Sequence, residues 1–171
     1  RGMLVKPPGF TAGTRYPLVA LIHGGPVGQD GFEFDAMAQA LAGAGYLVVQ
    51  PNYRGSSGRG REYSRALWGR WGAFEPTDVQ AVVDRVIADG LADPKRLGIA
   101  GWSYGGMTTN YTIASTDRFA AAVDDLLVEE RRAVYLLQDR VQVIVRHVFR
   151  RVDAVACDAQ AQQVVEVRGD A

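Results

Sequence analysis

Residues 97–106 read Leu97-Gly98-Ile99-Ala100-Gly101-Trp102-Ser103-Tyr104-Gly105-Gly106, and their reading decides the fold. Leu97 to Ala100 is a short apolar run of strand character, and a helix is expected to start near Tyr104. The chain must therefore reverse within Gly101-Trp102-Ser103-Tyr104-Gly105. A turn that sharp leaves no room for side chains at Gly101 and Gly105, and glycine tolerates the torsions it demands.

Working upstream, the text alternates between short apolar runs and helical stretches. Leu18 to His23 reads as a buried strand closed by the Gly24-Gly25-Pro26 turn. Phe34, Met37, Ala38 and Leu41 recur at helical spacing, and Gly43 and Gly45 end that helix. Tyr46 to Gln50 is a second strand, stopped by Pro51, and a polar glycine-rich loop follows from Asn52 to Gly60. Thr77 is expected to cap a helix whose apolar face is Val79, Val82, Val83, Val86 and Ile87. Asp93-Pro94 then makes a turn into the strand at Leu97. Strands alternating with helices, each strand a continuous apolar run, specify an α/β fold with a parallel sheet covered on both faces.

In this context Gly101-x-Ser103-x-Gly105 has the setting that a nucleophile elbow requires, after a strand and before a helix. The turn exposes the Ser103 hydroxyl at the carboxyl end of the sheet, where open α/β sheets place their sites. Acyl transfer also needs two backbone amides aimed at the developing oxyanion. The amide after the nucleophile, that of Tyr104, is one candidate; Gly25, in the turn after the earlier strand, is the other. His23 is expected to shape that turn rather than to act as a base.

The segments "PLVALIHGGP", "VVQPNYRGSSGRGREY", Trp71-Gly72 and "ADPKRLGIAGWSYGGMTTNYTIASTDRFAAAV" together resemble the catalytic domain of the prolyl oligopeptidase family of serine peptidases, in its acylaminoacyl and dipeptidyl peptidase-like branches. The resemblance covers Gly2 to Val123. It implies an α/β-hydrolase domain, partial here, with Ser103 matching the family nucleophile and Gly25 and Tyr104 matching its oxyanion-hole amides. It also implies short peptides as substrates and no cofactor. Arg54, in the segment matching the family's "NYRGS", is expected to pair with Asp78 or Glu75.

Beyond Val123 the resemblance stops, so residues 1–123 are expected to be the hydrolase part and residues 124–171 a divergent or unrelated tail. The family order places an Asp and then a His after the nucleophile. Asp124, Asp125, Asp139, Asp153 and Asp158 are available, but none has a convincing context, and His147 sits in "VIVRHVFRR" without a loop signal. The triad Asp and His are left unassigned, and the isolated chain is expected to be impaired. A helix is expected over Leu126 to Gln138. The alternatives are a carboxylesterase on the same fold and a catalytically inactive fragment or binding module.

Bulk properties narrow the partners. Nineteen basic and nineteen acidic residues leave no formal net charge, which argues against nucleic acid or an anionic membrane surface. No apolar run is long enough to cross a bilayer. One cysteine, Cys157, and two histidines give neither an intrachain disulfide nor a zinc cluster, so no metal is expected. Trp68, Trp71 and Trp102 are read as pocket candidates, with core packing expected for at least two of them. The first residue is Arg1 rather than methionine, so a start segment is expected to be missing. The compartment is left open with the cytoplasm favoured, and so is the oligomeric state.

Overall fold

The central strands form where apolar residues fill consecutive positions, because a strand with helices on both sides has no solvent face. The structure, a computed structural model, describes residues 1–125, 133–135 and 164–167. Seven strands and four helices are described: β1 Gly2–Val5, β2 Tyr16–Ile22, α1 Ala36–Gly43, β3 Leu47–Pro51, α2 Arg61–Arg65, α3 Glu75–Ala88, β4 Ala92–Trp102, α4 Tyr104–Ser115, β5 Ala121–Asp125, β6 Ala133–Tyr135 and β7 Val164–Val167. The strands make one mixed sheet in the order β6-β5-β4-β2-β3-β1-β7. Its centre is parallel, β2 pairing with β3 and β4, and β4 with β5. Both flanks are antiparallel. This is a partial α/β-hydrolase fold, as the sequence implied.

Side-chain alternation along each strand divides the core into two layers. Leu18, Ala20 and Ile22 of β2 join Leu47, Val49, Leu97 and Ile99 on one face, under Val79, Val82, Val83 and Val86 of α3 and Tyr104 of α4. Val19, Leu21 and Val48 point the other way, under Ala38, Leu41 and Ala42 of α1. Asp35 starts α1 by accepting the Ala38 N–H at 2.8 Å.

Four expectations are corrected. Thr77 does not cap α3, which begins at Glu75 with Phe74 in the cap position. Pro76 in its first turn is the reason, since proline is pre-set for the first helical positions and has no N–H to leave unpaired there. The Asp93-Pro94 turn sits inside β4 as a bulge. From Ala92 to Leu97 the strand advances five residues while its partner advances two, from Tyr16 to Leu18. Asp93 closes the bulge by accepting from the Lys95 N–H and the Arg96 Nε–H. A helix over Leu126 to Gln138 does not stand at its centre, because Ala133–Tyr135 is a strand antiparallel to β5. Pairing there satisfies backbone groups that an open edge would leave bare; the rest of that stretch lies outside the described residues. Lastly, Trp68, Trp71 and Trp102 are 65, 60 and 41% exposed, so none of the three is a core residue.

Candidate active site

At the end of β4 the chain turns into α4 through Ser103, whose φ of 55° and ψ of −127° make it the one non-glycine with positive φ among the described residues. Such a torsion costs of order 1–3 kcal/mol and persists only where its surroundings enforce it. Two glycines do so. A methyl group on Gly101 would run into the Gly105 backbone and Ile22 O, and one on Gly105 into Ile22 O and His23 O. The reversal is thus wedged against the end of β2, which pairs Ile22 with Gly101. Ser103 stands at the cap position of α4, yet its side chain makes no capping hydrogen bond and is exposed. The sequence placed this hydroxyl at the carboxyl end of the sheet, and that is where the structure has it.

The second turn lies alongside. A methyl group on Gly24 would stand 3.5 Å from Ser103 Cβ and 3.8 Å from its Oγ, so the two turns are in contact. Gly25 has φ +129°, and a side chain there would meet the backbone nitrogens of Val27 and Gly28 at 2.7 and 2.6 Å. Only glycine fits. Among the described residues, neither the Gly25 N–H nor the Tyr104 N–H is spent in a hydrogen bond. Tyr104 opens a helix, where N–H groups lack intrahelical partners and carry the positive end of the dipole.

His23 braces this turn. Its Nδ1 lies 2.8 Å from Gly24 O and its Nε2 2.9 Å from the Ser56 hydroxyl, while its ring stacks on Tyr53 at 4.5 Å. Burial pushes its imidazole below the ordinary histidine value, opposed by the Gly24 bond, so the neutral ring is favoured. A carbonyl only accepts, so Nδ1 carries the proton, while the single Ser56 hydroxyl proton lies between Nε2 and Tyr53 O, which that hydroxyl also reaches at 2.7 Å. Both nitrogens are committed, and His23 is not free to serve as a base. Tyr53 Oη donates to His23 O at 2.8 Å, holding the same turn from the loop after β3.

Tyr104 is buried, and its hydroxyl donates to Glu75 Oε1 at 2.6 Å. Burial, and then Glu75, raise its phenol well above the usual tyrosine value, so it remains a donor. Trp71 meets the ring edge-on at 5.8 Å. Sequence reading missed this use of Glu75, which it offered as one of two partners for Arg54. Arg54 instead pairs with Asp78: Nη2 donates to Oδ1 at 2.7 Å, Nε to Oδ2 at 2.9 Å, and its backbone N–H to Oδ2 at 2.8 Å.

Of the unassigned acids, Asp124, the penultimate residue of β5, pairs with Gly101 and is buried, accepting from Asn110 of α4. That contact turns its carboxylate toward the helix. Asp139, His147, Asp153, Cys157 and Asp158 lie outside the described residues, as does the Asp125 side chain. Among the described residues no three His, Cys, Asp or Glu side chains are placed to hold a metal, and no helix is long and apolar enough to cross a membrane.

Residues 32–139 match the prolyl oligopeptidase family. A Bacillus subtilis relative, the uncharacterized peptidase YuxL, is 45% identical over 123 residues, which are 71% of this chain and 19% of the relative. Two solved structures superpose well. The puromycin-hydrolyzing peptidase of Mycobacterium tuberculosis gives a TM-score of 0.65 at 36% identity, covering 71% of this chain and 19% of that one. The acylaminoacyl peptidase of Pyrococcus horikoshii gives 0.64 at 32% identity, covering 71% and 20%. The chain spans about a fifth of the length of each of these proteins.

Proposed function

The chain belongs to the prolyl oligopeptidase family, and from that premise we propose that it carries the nucleophile half of a serine peptidase, acting through an acyl-enzyme on Ser103. The observation that carries the reading is the strained, exposed Ser103 beside two unspent N–H groups, those of Gly25 and Tyr104. In the proposed reaction Ser103 Oγ forms a bond to the peptide carbonyl carbon and gives up its proton to a base. The carbonyl oxygen becomes an oxyanion facing the Gly25 and Tyr104 amides. Collapse expels the amine, which takes a proton, and water then releases the acyl group from Ser103. Short peptides are the proposed substrates, by likeness to an acylaminoacyl peptidase and a puromycin-hydrolyzing peptidase.

The isolated chain carries out this chemistry poorly. His23 is committed to Gly24 and Ser56, and no sequence context marks a family-like His or Asp after Ser103. A serine hydroxyl without a base is a weak nucleophile, although oxyanion stabilisation and binding alone leave about 10³–10⁴-fold catalysis over water. Intact-mass spectrometry of the chain incubated with a fluorophosphonate tests both parts. Slow labelling confined to Ser103, and lost in Ser103→Ala, is the expected result. Labelling at the rate of a fully active serine hydrolase refutes the impairment, and labelling that survives Ser103→Ala refutes the nucleophile.

A further inference from the structure

Glu75 takes no part in the chemistry above, yet its side chain is fully buried. A carboxylate in that position costs several kcal/mol unless its lone pairs are filled. Three donors fill them. The Gly72 N–H lies 2.9 Å and the Tyr104 hydroxyl 2.6 Å from Oε1, and the Phe74 N–H lies 3.0 Å from Oε2. Two of these belong to the turn that presents Trp71. The third belongs to the residue that follows Ser103.

We infer that Glu75 is a positioning residue for the site: it anchors the far end of the Tyr104 side chain and so fixes the peptide whose N–H faces the oxyanion. This rests on the reading of Ser103 as nucleophile. The strained torsion lies at Ser103, directly before the Tyr104 N–H, so the strain relaxes most directly by rotating that peptide. Rotation carries Tyr104 Cα with it and drags the ring, which Trp71 flanks edge-on at 5.8 Å and Tyr53 faces at 6.4 Å. The hydrogen bond at the tip of the ring closes this clamp. Starting α3 would need only the Gly72 and Phe74 bonds, which a solvent-facing carboxylate could make without burial. The buried carboxylate and the third donor, 29 residues further along the chain, answer a different need, that of tying the Trp71 turn to the serine turn.

A double-mutant cycle on the whole chain tests this, with Ser103 fluorophosphonate labelling per folded molecule and the melting temperature as separate readouts. Glu75→Gln keeps the shape but replaces one acceptor with a donor, and Tyr104→Phe removes only the hydroxyl. Losing an oxyanion donor outright costs about 10²–10³-fold; a displaced donor is expected to cost about tenfold in each single variant. The double variant should label no more slowly than the slower single one, because both substitutions break one link. A structural role alone lowers the melting temperature and leaves the rate per folded molecule unchanged, and that result overturns the inference. If Glu75→Gln does not fold, Tyr104→Phe decides by itself, a wild-type rate again overturning it. Absence of label from Ser103 in the unsubstituted chain removes the nucleophile reading and this inference together, and is seen before any substitution at Glu75 or Tyr104.

Discussion

Replacing Gly105 by alanine adds one methyl group where β2 and the serine turn press together, and its effect follows from two opposed quantities. Gly105 is inside α4 and is not among the positive-φ glycines, so alanine is permitted and favours the helix by roughly 0.8–1.0 kcal/mol. Against this, the new carbon falls on Ile22 O and stands 3.0 Å from His23 O. Both are main-chain atoms where β2 ends, Ile22 paired with Gly101 of β4 and His23 O accepting from the Tyr53 hydroxyl, so neither can swing aside as a side chain would. Overpacking of this kind costs about 1–3 kcal/mol, and the absence of any yielding atom puts the value near the top of that range. The expected net loss is about 2 kcal/mol, a fall of about 1 M in the urea midpoint for a slope near 2 kcal/mol per M. Gly43→Ala is the control. Gly43 is also helical, at the end of α1, and a methyl group there meets nothing within 4 Å, so a gain of about 0.4–1 kcal/mol is expected. A Gly105→Ala chain as stable as the unsubstituted one, by urea titration of tryptophan fluorescence, would refute the wedged turn and with it the enforced Ser103 torsion.

Two further predictions concern charge. Burial, then Asp35 and Glu33, push the Asp30 carboxyl up to about 7 from 3.8, so the folded chain holds a proton there that the unfolded chain has released. Its contribution is complete below pH 4 and lost as pH rises toward 7, at about 1.36 kcal/mol per pH unit at most. Asp30→Asn should remove this slope. His23, whose folded value is depressed, then leaves stability that only falls as pH drops below about 6.5; denaturation midpoints across pH 4–8 that are the same for both chains contradict this. Arg54→Lys retains the charge but loses the two-pronged contact with Asp78 and the stacking on Phe74 at 4.2 Å. With both partners part-exposed, a loss of about 1 kcal/mol is expected, and an unchanged melting temperature would count against it.

What could be read in the sequence was whatever depended on neighbours along the chain. Leu18–Ile22 and Leu97–Ile99 are apolar at every position but Gly98, and two-sided burial follows from that alone. Gly101 and Gly105 bracket a serine between an apolar strand and a helix, and that setting, rather than the spacing alone, points to a sharp strand-to-helix turn. Glu75 was illegible for the opposite reason. A glutamate at a helix start reads as a solvated charge, and its burial depends on a tyrosine hydroxyl far away in sequence. The tryptophans misled because size and apolarity argue for the core, whereas Trp68 and Trp71 lie in the segment between α2 and α3 and stay largely exposed. Thr77 misled because a good capping residue lost to Pro76, whose fixed φ moved the helix start upstream.

The serine turn and the proton-transfer groups of a hydrolase are held by different forces, and the consequence bears on this chain. Ser103 keeps its torsion because Gly101 and Gly105 abut Ile22 and each other, a matter of packing at the centre of the sheet. The Gly25 amide is set by the contact of its loop with Val27 and Gly28, and by the His23 brace beneath it. No imidazole or carboxylate acting on Ser103 is needed for any of this. On the proposed reading, a chain in which β2, β4 and α4 pack as they do here, with Glu75 holding Tyr104, would keep the electrostatic part of acyl transfer without a base. Its residual reactivity should then track the integrity of these two turns rather than pH over the range where an imidazole base would titrate.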